Sequence, residues 1–204
     1  MWSADDIQQG LQWKDRIARL ASAPVVMDTV APTTMPDLMA ANAGLIPPTM
    51  YGSSYTHNVR HITPGLAQVI ADNLAKMPTD LGVMLSVHQL RGPSTQRQQE
   101  DSVFAAREPH FMLEILGFAT TSEGREESEK WASALADQVK WEGKGKGNLL
   151  SVAYISLDRL DETSLDRLFG PYVQDVLALK KKFDPKNVFK NSPLPSRHWH
   201  EAML

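Results

Sequence analysis

Phe111-Met112-Leu113-Glu114-Ile115-Leu116-Gly117-Phe118 holds one charged residue in an otherwise apolar run. A run this short and this apolar reads as a β-strand. Period-two alternation sets Met112, Glu114 and Leu116 on one face and Phe111, Leu113 and Ile115 on the other. The chain must therefore fold so that one face of its sheet carries a carboxyl among mostly apolar neighbours.

Around this run, strand-like and helix-like segments alternate. Ser3, followed by Asp5 and Asp6, predicts a helix reaching about residue 20. Thr63-Pro64 is an N-cap with proline at the first helical position, and Leu66, Val69, Ile70, Leu74 and Met77 follow at helical spacing. Trp131, Leu135 and Val139, four apart, predict a helix over 124–141. A last helix carries Val173, Val176, Leu177 and Phe183, and Asp184-Pro185 stops it. Strands are expected at Val25–Val30, Val83–His88, Ser102–Ala106 and Leu149–Leu157, with irregular chain through the proline-rich remainder of residues 24–50. The fold class that follows is α+β: one antiparallel β-sheet with helices packed on one face, in a single domain. Residues 1–22 form an N-terminal helix, 23–195 the domain and 196–204 a tail.

At 204 residues the chain can bury roughly 70% of its unfolded surface. Its net charge of −3 gives no general attraction to nucleic acid or to an anionic membrane. There is no cysteine, hence no disulfide and no thiolate metal site. The acidic N-terminus lacks the basic start and apolar core of a signal peptide, and no apolar run reaches 18 residues. A cytoplasmic protein is the expectation.

The C-terminal third carries Phe169-Gly170-Pro171-Tyr172, then Leu177-Ala178-Leu179-Lys180, then Lys182-Phe183-Asp184-Pro185-Lys186-Asn187-Val188-Phe189. Upstream stand Ser151-Val152-Ala153-Tyr154-Ile155-Ser156, the segment Ser102–Ile115, and Pro47-Pro48-Thr49-Met50-Tyr51-Gly52. In this order the segments resemble the substrate-binding domain of berberine bridge enzyme-like FAD-linked oxidases, in their fungal branch, over residues 40–195. The closing segment of that family reads roughly Y-G-x-N-Y, then L-x-x-K-x-K-Y-D-P-x-N-x-F. The family's Y-x-N strand is matched at Tyr154, with Ser156 in place of asparagine. The resemblance implies an antiparallel sheet roofing a flavin, with helices behind. In the family the flavin-binding domain precedes this region and holds the pyrophosphate with glycine-rich backbone. This sequence has no Gly-Gly pair and no cysteine, so neither a cofactor nor a metal is expected on this chain itself, FAD being the alternative.

Glu114 is the first catalytic candidate. A carboxyl on a mostly apolar face loses hydration, which suits a group that trades protons; the resemblance implies a catalytic base at about this position. A structural ion pair with Arg107 or Arg91 is the competing reading. Tyr154 matches the family's substrate-facing tyrosine and can donate to a developing oxyanion, or else fill core. His88 shares a strand face with Ser86 and Met84 and can shuttle protons near neutrality. Substrate contacts are expected from Met112, Leu116 and Arg91, and from Tyr51, Tyr55 and His57 in a loop at a pocket mouth. His57 and His61 lack a third metal ligand. Gly143-Lys144-Gly145-Lys146-Gly147 reads as a flexible connector, and Lys180-Lys181-Lys182 as a solvated helix end.

The expected function is a stand-alone, flavin-free enzyme of natural-product biosynthesis. It would catalyse a redox-neutral cyclisation or isomerisation, a pericyclic step among them, on a mostly apolar small molecule. Two alternatives stand beside it: the substrate half of an FAD-linked oxidoreductase that needs a separate FAD-binding domain, or a non-catalytic binding protein. A homodimer is expected, covering the sheet face that a flavin domain covers in the family.

Overall fold

The structure, a computed structural model, describes residues 6–20, 33–43, 49–96, 103–157 and 165–189. The chain divides into two compact units, Met1–Ile46 and Pro47–Leu204.

The first unit holds helices α1 (Ile7–Leu20) and α2 (Met35–Ala43). Asp6 caps α1, its carboxylate accepting from the Gln9 N–H at 3.0 Å. Helix α2 falls where irregular chain was expected. Thr34 Oγ1 accepts from the Asp37 N–H at 3.3 Å and donates to the Asp37 carboxylate at 2.6 Å. That local cap, with Pro36 in the first turn, outweighs the density of prolines. Ser3 and the expected strand Val25–Val30 lie outside the described residues.

The second unit is built on strands β1 (Tyr51–Val59), β2 (Val83–Leu90) and β3 (His110–Ala119), antiparallel in the order β1-β3-β2. Helices α3 (Pro64–Leu74) and α4 (Arg125–Gly145) cover one face, so the α+β class and the one-sided helical layer hold. Thr63 caps α3 as its spacing predicts, accepting from the Leu66 N–H at 3.2 Å. Trp131, Leu135 and Val139 of α4 pack on Leu113 and Ile115 of β3. The Trp131 indole donates to the Asn73 carbonyl at 3.0 Å and ties α4 to α3. At Gly117 the helix comes close to the sheet: a Cβ there would lie 2.5 Å from the Ala132 methyl and 2.7 Å from the Ser128 carbonyl. The end of β3 is pinned by Asp80, whose carboxylate accepts from the Gly82 and Thr120 N–H groups at 2.9 and 3.0 Å. Those donors hold the Asp80 carboxyl below its usual range.

Further segments differ from expectation in the second unit. Tyr51–Val59, read as a loop, is a nine-residue strand. Residues 103–106, read as part of a strand, form none. Leu149–Leu157, also read as a strand, makes a single bridge to Val59 and then leaves the ladder. The Asn58 and Ser54 side chains take up the Val152 and Leu157 carbonyls, at 2.8 and 3.0 Å, so the backbone is bound by side chains rather than by strand pairing. The glycine-lysine run is not a connector either. Gly143 to Gly145 continue α4, and Gly147, at φ +63°, turns the chain as the Asn148 and Leu149 N–H groups return to the Gly143 carbonyl.

Helices α5 (Leu165–Phe169) and α6 (Val173–Phe183) form a smaller core in which Leu165, Leu168 and Leu177 pack with Ala153 and Ile155. Asp184 ends α6 by accepting from the Val188 and Phe189 N–H groups at 2.7 and 3.0 Å and from the Lys180 ammonium. Asn187 takes the left-handed conformation this turn requires, φ +50°. The Asp184-Pro185-x-Asn187 motif is thus a helix stop. Lys180 belongs to it, with only 9% of its side chain exposed, and is not solvated as the lysine run suggested. Its ammonium, more than the backbone donors, holds the Asp184 carboxyl below its usual range. No helix among the described residues is long and apolar enough to cross a membrane.

Candidate functional site

The register decides which side chains meet. On β3, Leu113, Ile115 and Gly117 face the helices, so Met112, Glu114, Leu116 and Phe118 occupy the far face. Thr56 of β1 lies opposite Glu114 on one side and Ser86 of β2 on the other. His88 is the diagonal neighbour, and its Nε2 lies 2.8 Å from the Glu114 carboxylate. The Glu114 side chain is 13% exposed and that of His88 42%. With its own proton on Nδ1, the imidazole can accept at Nε2 a proton first taken up by the carboxylate, and release the Nδ1 proton from a ring that is partly exposed.

The β1 side of this face is covered. Asn58 and Ser54 anchor residues 152–157 across it, and Tyr154 stands between the two anchors, its ring edge-on to Phe104 with centroids 6.2 Å apart. Beneath lie buried Met112, Thr56 and Asn58. Among the described residues the buried Thr56 hydroxyl and Asn58 side-chain carbonyl have no hydrogen-bond partner. His110 continues this face of β3. Its Nδ1–H donates to the Glu108 carbonyl at 2.6 Å and leaves Nε2 buried and unpaired.

The sequence-predicted residues therefore separate into groups. Glu114, His88, Met112 and Leu116 share the far face, and the segment carrying Tyr154 crosses its β1 side. Tyr51, Tyr55 and His57 alternate to the helix side, because they occupy a strand and not a loop. Arg91 donates to the Arg60 carbonyl at 2.9 Å and stacks 4.6 Å from the Phe111 ring, which removes it from Glu114. Arg107 stacks on Phe104, so neither arginine is the partner of Glu114; His88 is. Ser54, Thr56 and Asn58 were not singled out from sequence. Their signal was the polar alternation of Ser54-x-Thr56-x-Asn58, which marks one face of a strand.

FAD carries a pyrophosphate, which needs converging backbone N–H groups or Arg/Lys clamps. By register no lysine or arginine of the three strands stands on the far face. The uncovered β2 side of the face offers Met84, Ser86 and Leu116 to an isoalloxazine ring, but it does not fit the pyrophosphate. Among the described residues no cluster of His, Asp or Glu is arranged to hold a metal.

No protein-family model matches the chain. The FAD-linked oxidoreductase aurO of Gibberella zeae is 24% identical over 179 residues, covering 88% of this chain and 34% of that protein. The chain thus spans about a third of the length of this curated relative. Among solved structures, 6-hydroxy-D-nicotine oxidase from Arthrobacter nicotinovorans matches with TM-score 0.56 and 20% identity, over 87% of this chain and 40% of that one. The BBE-like 1 protein of Physcomitrella patens matches with TM-score 0.49 and 16% identity, over 66% of this chain and 28% of that one. The chain is thus similar in sequence to part of an FAD-linked oxidoreductase and in fold to part of 6-hydroxy-D-nicotine oxidase.

Proposed function

We propose that the far face of the sheet is the substrate-facing wall of an FAD-linked oxidoreductase acting on a mostly apolar small molecule. Glu114 is its proton acceptor and His88 the group that carries the proton to solvent. The observation behind this reading is the Glu114–His88 contact at 2.8 Å, with a nearly buried carboxyl and a half-exposed imidazole. The oxidoreductase relatives support the reaction class. Leu116 supplies apolar surface beside the carboxyl, with Met112 buried behind the face, and Tyr154 stands at the rim as a hydrogen-bond donor to substrate oxygen. When bound by an FAD-binding domain, the flavin would accept the electrons, and this chain's part is to orient the substrate and move its proton.

A second reading keeps the same residues without flavin. The Glu114–His88 contact carries it too, because moving a proton needs no flavin. Here the pocket holds a reactive conformer, and Glu114 and His88 catalyse a redox-neutral cyclisation or isomerisation. Turnover of apolar aromatic alcohols with an artificial electron acceptor tests the two readings. It is measured on the chain alone and with FAD and the FAD-binding domain of a relative supplied in trans. Product that depends on both additions supports the first reading, and product formed without flavin or acceptor supports the second. No product under any of these conditions contradicts both.

A further inference from the structure

On the helix side of the sheet, away from Glu114, the β1 edge and the first half of α4 enclose an open cavity of about 520 Å³. Tyr55 forms one wall, half-buried against the core. Arg125, Glu126, Glu129 and Lys130 line the cavity with Ser53 and Ser133. Glu129 is already engaged: it accepts from the Ser53 hydroxyl at 2.7 Å and from Arg125 at 3.1 Å. This network fixes the floor. Glu126 and Lys130 lie one helical turn apart, yet among the described residues they form no ion pair with each other. One carboxylate and one ammonium thus stand available beside an aromatic ring.

We infer that this cavity is a binding site for a neutral polyhydroxylated molecule, a sugar or cyclic polyol. Two cations and two carboxylates cancel, so the lining favours neither an anion nor a cation. The available groups are a donor, an acceptor and a Ser133 hydroxyl that is both, which matches vicinal hydroxyls, each donor and acceptor at once. The Tyr55 ring gives the apolar face of such a ring compound a surface to stack on. Nothing in the proton-transfer site is needed for this, because Tyr55 and Glu114 point to opposite faces of the sheet.

The test is a 1H–15N correlation titration of the full chain with D-glucose and with myo-inositol to about 50 mM, above the millimolar Kd expected for a neutral ligand in an open cleft. Saturable shifts are expected at Ser53, Tyr55, Glu126, Lys130 and Ser133. Glu126→Gln and Lys130→Met, both at surface positions, should each weaken binding by about fivefold, the worth of one hydrogen bond. Inorganic phosphate and glycine serve as charged comparators. Shifts with either of these but not with the polyols overturn the assignment. So do shifts confined to other residues, no shift at all, or affinities that neither variant changes.

Discussion

The Glu114 carboxylate and the His88 imidazole meet at 2.8 Å across adjacent strands, on the sheet face turned away from α3 and α4. The contact joins an almost buried acid to a ring with access to water. Under the proposed function that gradient of exposure gives the pair a direction, with protons leaving substrate at the carboxyl and reaching solvent through the ring.

Glu114→Gln keeps the shape and hydrogen-bonding capacity of the side chain while removing its basicity. Turnover of a working substrate should fall by about 10²–10⁴-fold, with KM little changed. His88→Gln should cost less, since water can replace an exposed relay. Steady-state kinetics on both variants, with circular dichroism confirming the fold, provide the check. An unaltered kcat in Glu114→Gln removes Glu114 from the chemistry.

Gly117→Ala places a methyl 2.5 Å from the Ala132 methyl and 2.7 Å from the Ser128 carbonyl. Helix α4 must shift to admit it, so the expected loss is about 1–3 kcal/mol. Leu135→Ala, in the same core, should lose about 2–5 kcal/mol. Urea unfolding measures both. A Gly117→Ala variant as stable as the parent would mean that α4 does not approach β3 this closely.

The pattern of the apolar run made β3 legible, and with it the face on which Glu114 sits. Thr63-Pro64 and the four-residue spacing of Trp131, Leu135 and Val139 gave α3 and α4 for the same reason: local periodicity is written in local sequence. What the sequence did not carry was pairing. Tyr55 and His57 read as loop because Tyr51-Gly52-Ser53-Ser54 has little apolar content, yet β1 is an edge strand whose polar positions bind residues 152–157. Those residues looked like a strand from composition, but the Asn58 and Ser54 side chains claim their carbonyls. The partner of Glu114 was equally hidden. Both arginines considered for it stack on aromatic rings instead, and the contact with His88 appears only once β2 and β3 are in register.

Acid stability should report Asp80 and Asp184, two of the depressed carboxyls among the described residues. Asp80 and Asp184 both titrate below the ordinary value of 3.8 in the folded chain. A depressed folded pKa means the unfolded chain binds protons first as pH falls. The stabilisation is therefore complete above the unfolded value and is lost as pH drops through the folded values beneath it. Melting temperature should be nearly flat from pH 7 to about pH 5 as far as these groups contribute, then fall below about pH 4. Asp80→Asn and Asp184→Asn should each lower the neutral-pH melting temperature and flatten the acid fall. Melts by circular dichroism across this range decide the point. An acid limb unchanged in both variants contradicts the assignment.

Flavin binding should ignore the pyrophosphate. The far face can meet an isoalloxazine ring but presents no phosphate clamp, so riboflavin and FAD should bind the isolated chain with similar, weak affinity. Fluorescence titration with each compares them. A large preference for FAD would show that this chain holds the pyrophosphate.

The central claim is that the Glu114–His88 face receives a small apolar substrate. Its most direct test is a 1H–15N correlation titration with 4-hydroxybenzyl alcohol, on the parent and on a Glu114→Leu variant. The account predicts saturable shifts at Ser86, His88, Met112, Glu114 and Leu116, with Tyr154 at the rim, and their weakening in the variant. Shifts confined to the helix side of the sheet, or identical binding to both proteins, would contradict it.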